Sequence, residues 1–74
     1  MTFEKGRRYR VSVSRYAIVP DFVGVFTRDV VLAGALRGHE FAVQGALPGM
    51  PVGTTEWHPI MLDDEIVGIE ELAV

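Results

Sequence analysis

From Arg8 to Ser14 every second residue is apolar: Tyr9, Val11 and Val13 alternate with Arg8, Arg10, Ser12 and Ser14. Successive side chains of a strand point to opposite faces, so this two-residue period specifies a strand buried on one face only. Such a strand is not stable alone and must find neighbours that complete a sheet. The next stretch supplies one: Phe22, Gly24 and Phe26 fall on one side, with Val23, Val25 and Thr27 on the other. Gly24 marks a bulge or a place where another backbone comes close. Between the two strands, Pro20-Asp21 reads as a turn, because Pro presets one dihedral and Asp can bond the nearby backbone.

Further along, Val30 to Leu36 follows the polar pair Arg28-Asp29 and contains Ala33, Gly34 and Ala35, small residues that permit tight packing or strong curvature. Arg37-Gly38-His39 is the expected hairpin turn, with Gly38 supplying the positive φ, and Glu40 to Leu47 is the returning strand. Pro48-Gly49-Met50-Pro51-Val52-Gly53 is too dense in breakers for regular structure and reads as the longest loop.

The closing stretch, Glu56 to Leu72, holds the only Trp and much of the acid. It has two readings. As a helix, Asp63 or Asp64 is the N-cap, acids fill the first turn, and Leu62, Ile66, Ile69 and Ala73 share a face. As strand, turn and strand, Thr55 to Leu62 runs extended, Asp63-Asp64 turns, and Ile66 to Leu72 forms the final strand. Gly68 among the β-branched Ile66, Val67 and Ile69 favours the strand. Pro59 cannot donate to a ladder and so demotes its strand to an edge or places a bulge there.

Short strands joined by tight turns imply one all-β domain over residues 1–74, a small five-stranded antiparallel sheet curled into a barrel. Closure of such a barrel makes first and last strands neighbours and brings Arg8 and Arg10 near Glu70 and Glu71. Seventy-four residues bury only about 60 to 65% of the unfolded surface, so the core is marginal. The chain has no Cys, which excludes disulfides and thiolate metal sites. Association with further copies is then the expected supplement. A hydrophobic fraction of 49% and a mean hydropathy of +0.24 agree, since some apolar area is left to face a partner. No apolar run nears the roughly 18 residues of a membrane span, and Met1 to Arg8 lacks the core of a signal peptide, so the expected location is cytoplasmic. The net charge of −3 argues against a general polyanion binder.

Tyr9-Arg10-Val11-Ser12-Val13, Gly24-Val25-Phe26-Thr27-Arg28-Asp29 and Asp64-Glu65-Ile66-Val67-Gly68-Ile69-Glu70 together resemble the first, second and closing strands of the Sm-like family, and more loosely the SH3-like barrels. The resemblance spans most of the chain and implies a small barrel, rings built by pairing edge strands of neighbouring subunits, and single-stranded RNA at the inner rim. The chain departs from that pattern at named places. Met1 to Gly6 is too short for the family's N-terminal helix, Val30 follows Asp29 where the RNA pocket has an asparagine, and Trp57-His58-Pro59 stands where an arginine-glycine pair is found.

His39, Glu40, Glu56 and His58 have metal-ligand chemistry, but exposed turn and strand positions are the ordinary outcome for such residues, and no metal or cofactor is expected. Asp63, Asp64 and Glu65 are contiguous and read as solvated, with nothing to set their pKa values apart for acid-base work. The Ser and Thr residues sit in no nucleophile motif, and a chain this small has little room for a ligand pocket, so an enzyme is not expected. Among the aromatics Tyr9, Tyr16, Phe22, Phe26, Phe41 and Trp57, base stacking would be sought at Tyr9 beside Arg8 and Arg10, yet Tyr9 belongs to the apolar phase of its strand. Trp57, on an expected edge, is assigned to core or subunit contact.

The expected function is a noncatalytic module that self-associates, or captures an extended peptide or protein partner, through edge strands, with Trp57, Val23, Val25 and Val67 as apolar contacts. The alternative is single-stranded RNA binding through Arg7, Arg8, Arg10 and Arg15.

Overall fold

The computed structural model describes residues 2–45, 49, 53 and 55–72. It is all-β: strands β1 (Arg8–Val13), β2 (Phe22–Val31), β3 (Arg37–Gln44), β4 (Glu56–Trp57), β5 (Ile60–Leu62) and β6 (Ile66–Leu72) form one antiparallel sheet. The order is β4-β3-β2-β1-β6, with β5 also pairing β3, and the sheet is not closed. A tight turn at Ala33–Ala35 and a 3-10 turn at Asp63–Glu65 complete the elements, and no α-helix occurs among the described residues.

The alternation of β1 does what its period implies. Tyr9 and Val11 are buried, and Val13 packs against the same cluster. In β2 the inward set is Phe22, Gly24 and Phe26. A Cβ on Gly24 would lie 3.0 Å from Val43 Cγ2 and 3.1 Å from the Ala42 carbonyl oxygen. A side chain at this position would force β3 to give way by a few tenths of an ångström, so the glycine eases the close approach of the two strands. Phe41, Val43, Met61 and Ile66 fill the same core.

Phe3 is a core residue that sequence reasoning missed, and His39, expected in an exposed turn, is buried as well. Phe3 precedes all the strands, is buried, and sets its ring 5.1 Å from Tyr9, 5.3 Å from Phe26 and 5.2 Å from Phe41. The N-terminal segment is tied down further by the Glu4 N–H, which donates to the Tyr9 hydroxyl at 2.9 Å.

Several expected boundaries move. β2 continues four residues past Thr27 to Val31, so the β2–β3 turn lies between Leu32 and Leu36, not at Arg37-Gly38-His39. Positive φ occurs at Gly34 (75°) and Ala35 (64°). Gly38 sits inside β3 for a steric reason: a Cβ there would come within 2.5 Å of Ile60 Cγ2. The returning strand starts at Arg37 and is assigned to Gln44; residues 46–47 and most of the expected Pro48–Gly53 loop lie outside the described residues.

The strand expected from Thr55 to Leu62 is divided, which makes the strands six. The Phe41 N–H donates to the Pro59 carbonyl at 3.0 Å, but proline has no N–H to return. The ladder therefore breaks into β4 and β5. The helical reading of the last dozen residues is overturned: Asp63–Glu65 makes a single 3-10 turn and Ile66–Leu72 is a strand paired to β1.

Candidate functional site

Two places stand apart from the ordinary core: the free edge of β6, and a buried histidine held between two carboxylates.

β6 pairs with β1 from Arg8 opposite Leu72 to Val13 opposite Ile66. Facing residues on paired strands share a sheet face, so Arg10 and Glu70 meet on the outer face, where Arg10 Nη1 lies 2.8 Å from Glu70 Oε1. Arg7 reaches Glu71 at 3.9 Å. Ser12 faces Gly68 and Val13 faces Ile66, which leaves Val67 as the extra residue of a bulge. Val67 is 68% exposed. Ile69 faces Val11 and so belongs to the core side, yet Val11 is fully buried and Ile69 is 39% exposed. Across β6 from β1 no strand pairs with it among the described residues. The last strand thus carries one core-side isoleucine at an uncovered rim.

At the far end of the β2–β3 ladder, His39 is 3% exposed. Its ring packs edge-on against Phe3 at 4.9 Å. Nδ1 meets Asp29 Oδ1 at 2.5 Å and Nε2 meets Asp63 Oδ1 at 2.6 Å. Ionised carboxylates only accept, so both hydrogen bonds form together when the ring carries both protons. The hydrogen bond from His39 holds the Asp63 carboxyl below its ordinary 3.8, with the attraction of the ring's charge adding to it and desolvation opposing. Three segments are clamped by this set: β2 through Asp29, β3 through His39, and the turn that launches β6 through Asp63. Both ring nitrogens are thus engaged by carboxylates of the chain itself.

Nearby, Thr27 is the extra residue of a β2 bulge, and its hydroxyl lies 2.9 Å from Glu40 Oε2, while Arg28 places Nε and Nη2 each 3.2 Å from Glu40 Oε1. The Thr27 hydrogen bond is the main reason Glu40 sits below its ordinary 4.5, and Arg28 adds to it. Glu56 turns to His58 instead, at 3.0 Å. The candidate metal set of His39, Glu40, Glu56 and His58 is therefore not brought together, and no cluster of three or more such residues suits a metal among the described ones. A shallow depression of about 380 Å³ does open beside the clamp, lined by Ala35, Leu36, Arg37, Leu62, Asp63 and Asp64.

The expected contact residues are dispersed. Trp57 is half-buried on the core side, its ring 5.8 Å from Phe22. Val23 and Val25 lie half-buried on the outer face of β2, opposite Arg10 and Arg8, with β1 between them and Val67. Of the four basic residues, Arg7 and Arg10 engage acids of β6, and Arg7 also pairs with Glu4 at 3.1 Å. Arg15 lies 4.9 Å over the Tyr16 ring and donates to its hydroxyl. Arg8 is exposed between Val25 and Leu72.

Phe3, Asp29 and Asp63 are the residues that sequence reasoning did not assign here. The partners of His39 lie 10 and 24 positions away, spacings that carry no periodic signal. No family model, no curated protein and no solved structure matches the chain. No described helix is long and apolar enough to cross a membrane.

Proposed function

We propose that this protein is a noncatalytic binding module, a small barrel of SH3-like or Sm-like strand order in which β4 and β5 act as one interrupted strand, and that it associates with further copies of itself through a sheet edge. The observation that carries the reading is β6: seven residues long, paired on one side only among the described residues, and bearing Val67 and Ile69 exposed. An open strand presents unsatisfied backbone groups in register, and a second strand satisfies them without any chemistry at the side chains. With so small a core, covering that rim adds stability a single copy lacks.

Light scattering at two protein concentrations tests it. The expected result is a molar mass that exceeds the 8.2 kDa of one chain and rises with concentration. A mass of 8.2 kDa at high micromolar concentration overturns the proposal. Binding to mixed-sequence RNA that weakens steeply with salt would favour the arginines instead. Against that alternative, Arg7, Arg10 and Arg15 already have partners within the chain.

A further inference from the structure

Resting on that reading, we propose that the partner at β6 is the β6 strand of a second copy, antiparallel and related by a two-fold axis at Ile69. Both copies offer the same edge, so facing residues must share the parity that points their backbone groups outward; only registers centred on a residue satisfy this. The bulge at Val67 leaves Gly68 to Leu72 as the regular run of β6. Overlap alone would centre the pair on Glu70. That register sets two carboxylates directly opposite each other, and like charges facing across a ladder repel. Moving the centre to Ile69 takes the two carboxylates out of direct opposition: Gly68 then faces the partner's Glu70, and the Val67 bulge marks where the regular ladder ends.

Charge and apolar surface favour the same register. Glu70 and Glu71 remain held by Arg10 and Arg7 of their own chain. The two Ile69 side chains meet on the core side, where each otherwise stands half-uncovered beside a fully buried Val11. A two-fold interface uses one patch twice, which suits a strand that is acidic toward one end and apolar toward the other. Among the described residues the opposite edge offers no equivalent: β4 has two residues and β5 three, separated by Pro59.

The absence of cysteine makes the test specific, because a single introduced cysteine can cross-link only to its own copy in the partner. Facing Cα atoms in an antiparallel pair stand about 4.5–5.5 Å apart, within disulfide reach. Ile69→Cys, Glu70→Cys and Ile60→Cys are oxidised in parallel after circular dichroism confirms each fold. Ile69→Cys is expected to form covalent dimer about tenfold faster than the other two. Should Ile69→Cys fail to fold, nuclear Overhauser contacts between labelled and unlabelled copies of the wild-type protein read the same pair, Ile69 methyl to Ile69 methyl. Faster cross-linking at Glu70, or a wild-type dimer with neither the cross-link nor the methyl contact at Ile69, overturns the two-fold register and leaves self-association standing. A wild-type chain that is monomeric by light scattering overturns both.

Discussion

The two ends of this sheet present edges of opposite character. At one end β3 is flanked by β4 and β5, five residues in all, split by Pro59, with Trp57 turned inward onto Phe22. At the other end β6 runs for seven residues, with Val67 and Ile69 uncovered. Short strands and prolines are the devices that keep an edge from recruiting other chains. Among the described residues one edge has them and the other does not, and the proposed self-association uses that difference.

The largest effect expected on this contrast is its erasure. Phe41 is fully buried and touches the rings of Phe3, Tyr9, Phe22 and Phe26. Phe41→Ala should cost about 3–5 kcal/mol, enough to unfold a marginal domain, and chemical denaturation followed by circular dichroism reads the loss. Both edges would go with it.

A lysine at each edge separates them. Burying an isoleucine contributes about 1.5–3 kcal/mol, so Ile69→Lys should weaken self-association by about 10- to 100-fold in sedimentation equilibrium. Ile60→Lys, on β5, should leave it within about twofold. Equal weakening by both would remove the distinction between the edges.

Acid sharpens the contrast because only β6 is launched from a clamped turn. The Asp63 carboxyl titrates below its ordinary 3.8 in the folded chain, so the stabilisation from its ionised form is fully present above that value and is lost as pH falls through the lower, folded value. Glu40 acts in the same direction from its ordinary 4.5. Thermal melts from pH 5 downward should show a steeper decline in the wild type than in Asp63→Asn, which removes the titrating group. Parallel declines would show that Asp63 is not held by His39.

The smallest effect lies at the β2–β3 turn. Ala35 has a φ of 64°, a region that disfavours side chains, and Ala35→Gly should raise stability by about 0.5–1 kcal/mol in denaturant melts without altering association.

What could be read in advance was whatever depends on period two. Tyr9, Val11, Phe22, Gly24 and Phe26 were legible as an inward face, Ile66 to Leu72 as the final strand, and the pairing of Arg10 with Glu70 followed from placing the first strand beside the last. The turn between β2 and β3 was misplaced because Gly38 suggests positive φ locally, whereas its actual constraint is Ile60, twenty-two positions on. The clamp was hidden for a related reason. The bulge at Thr27 resets the parity of β2, so Asp29 points inward beside Phe26 and not with the outer face of Arg28. Asp63 reads as one of three solvated acids, and only folding of the chain brings it to His39. Phe3 lies in a segment without periodicity, and a lone aromatic there gives no strand signal.

Backbone amide exchange as a function of protein concentration tests the central claim most directly, since it reads each edge in one experiment. The outward-pointing amides of β6 between Gly68 and Leu72 should gain protection as concentration rises, while those of Glu56 and Trp57 in β4 stay unchanged. Protection of β6 that is independent of concentration, or that grows at β4 instead, would contradict the account.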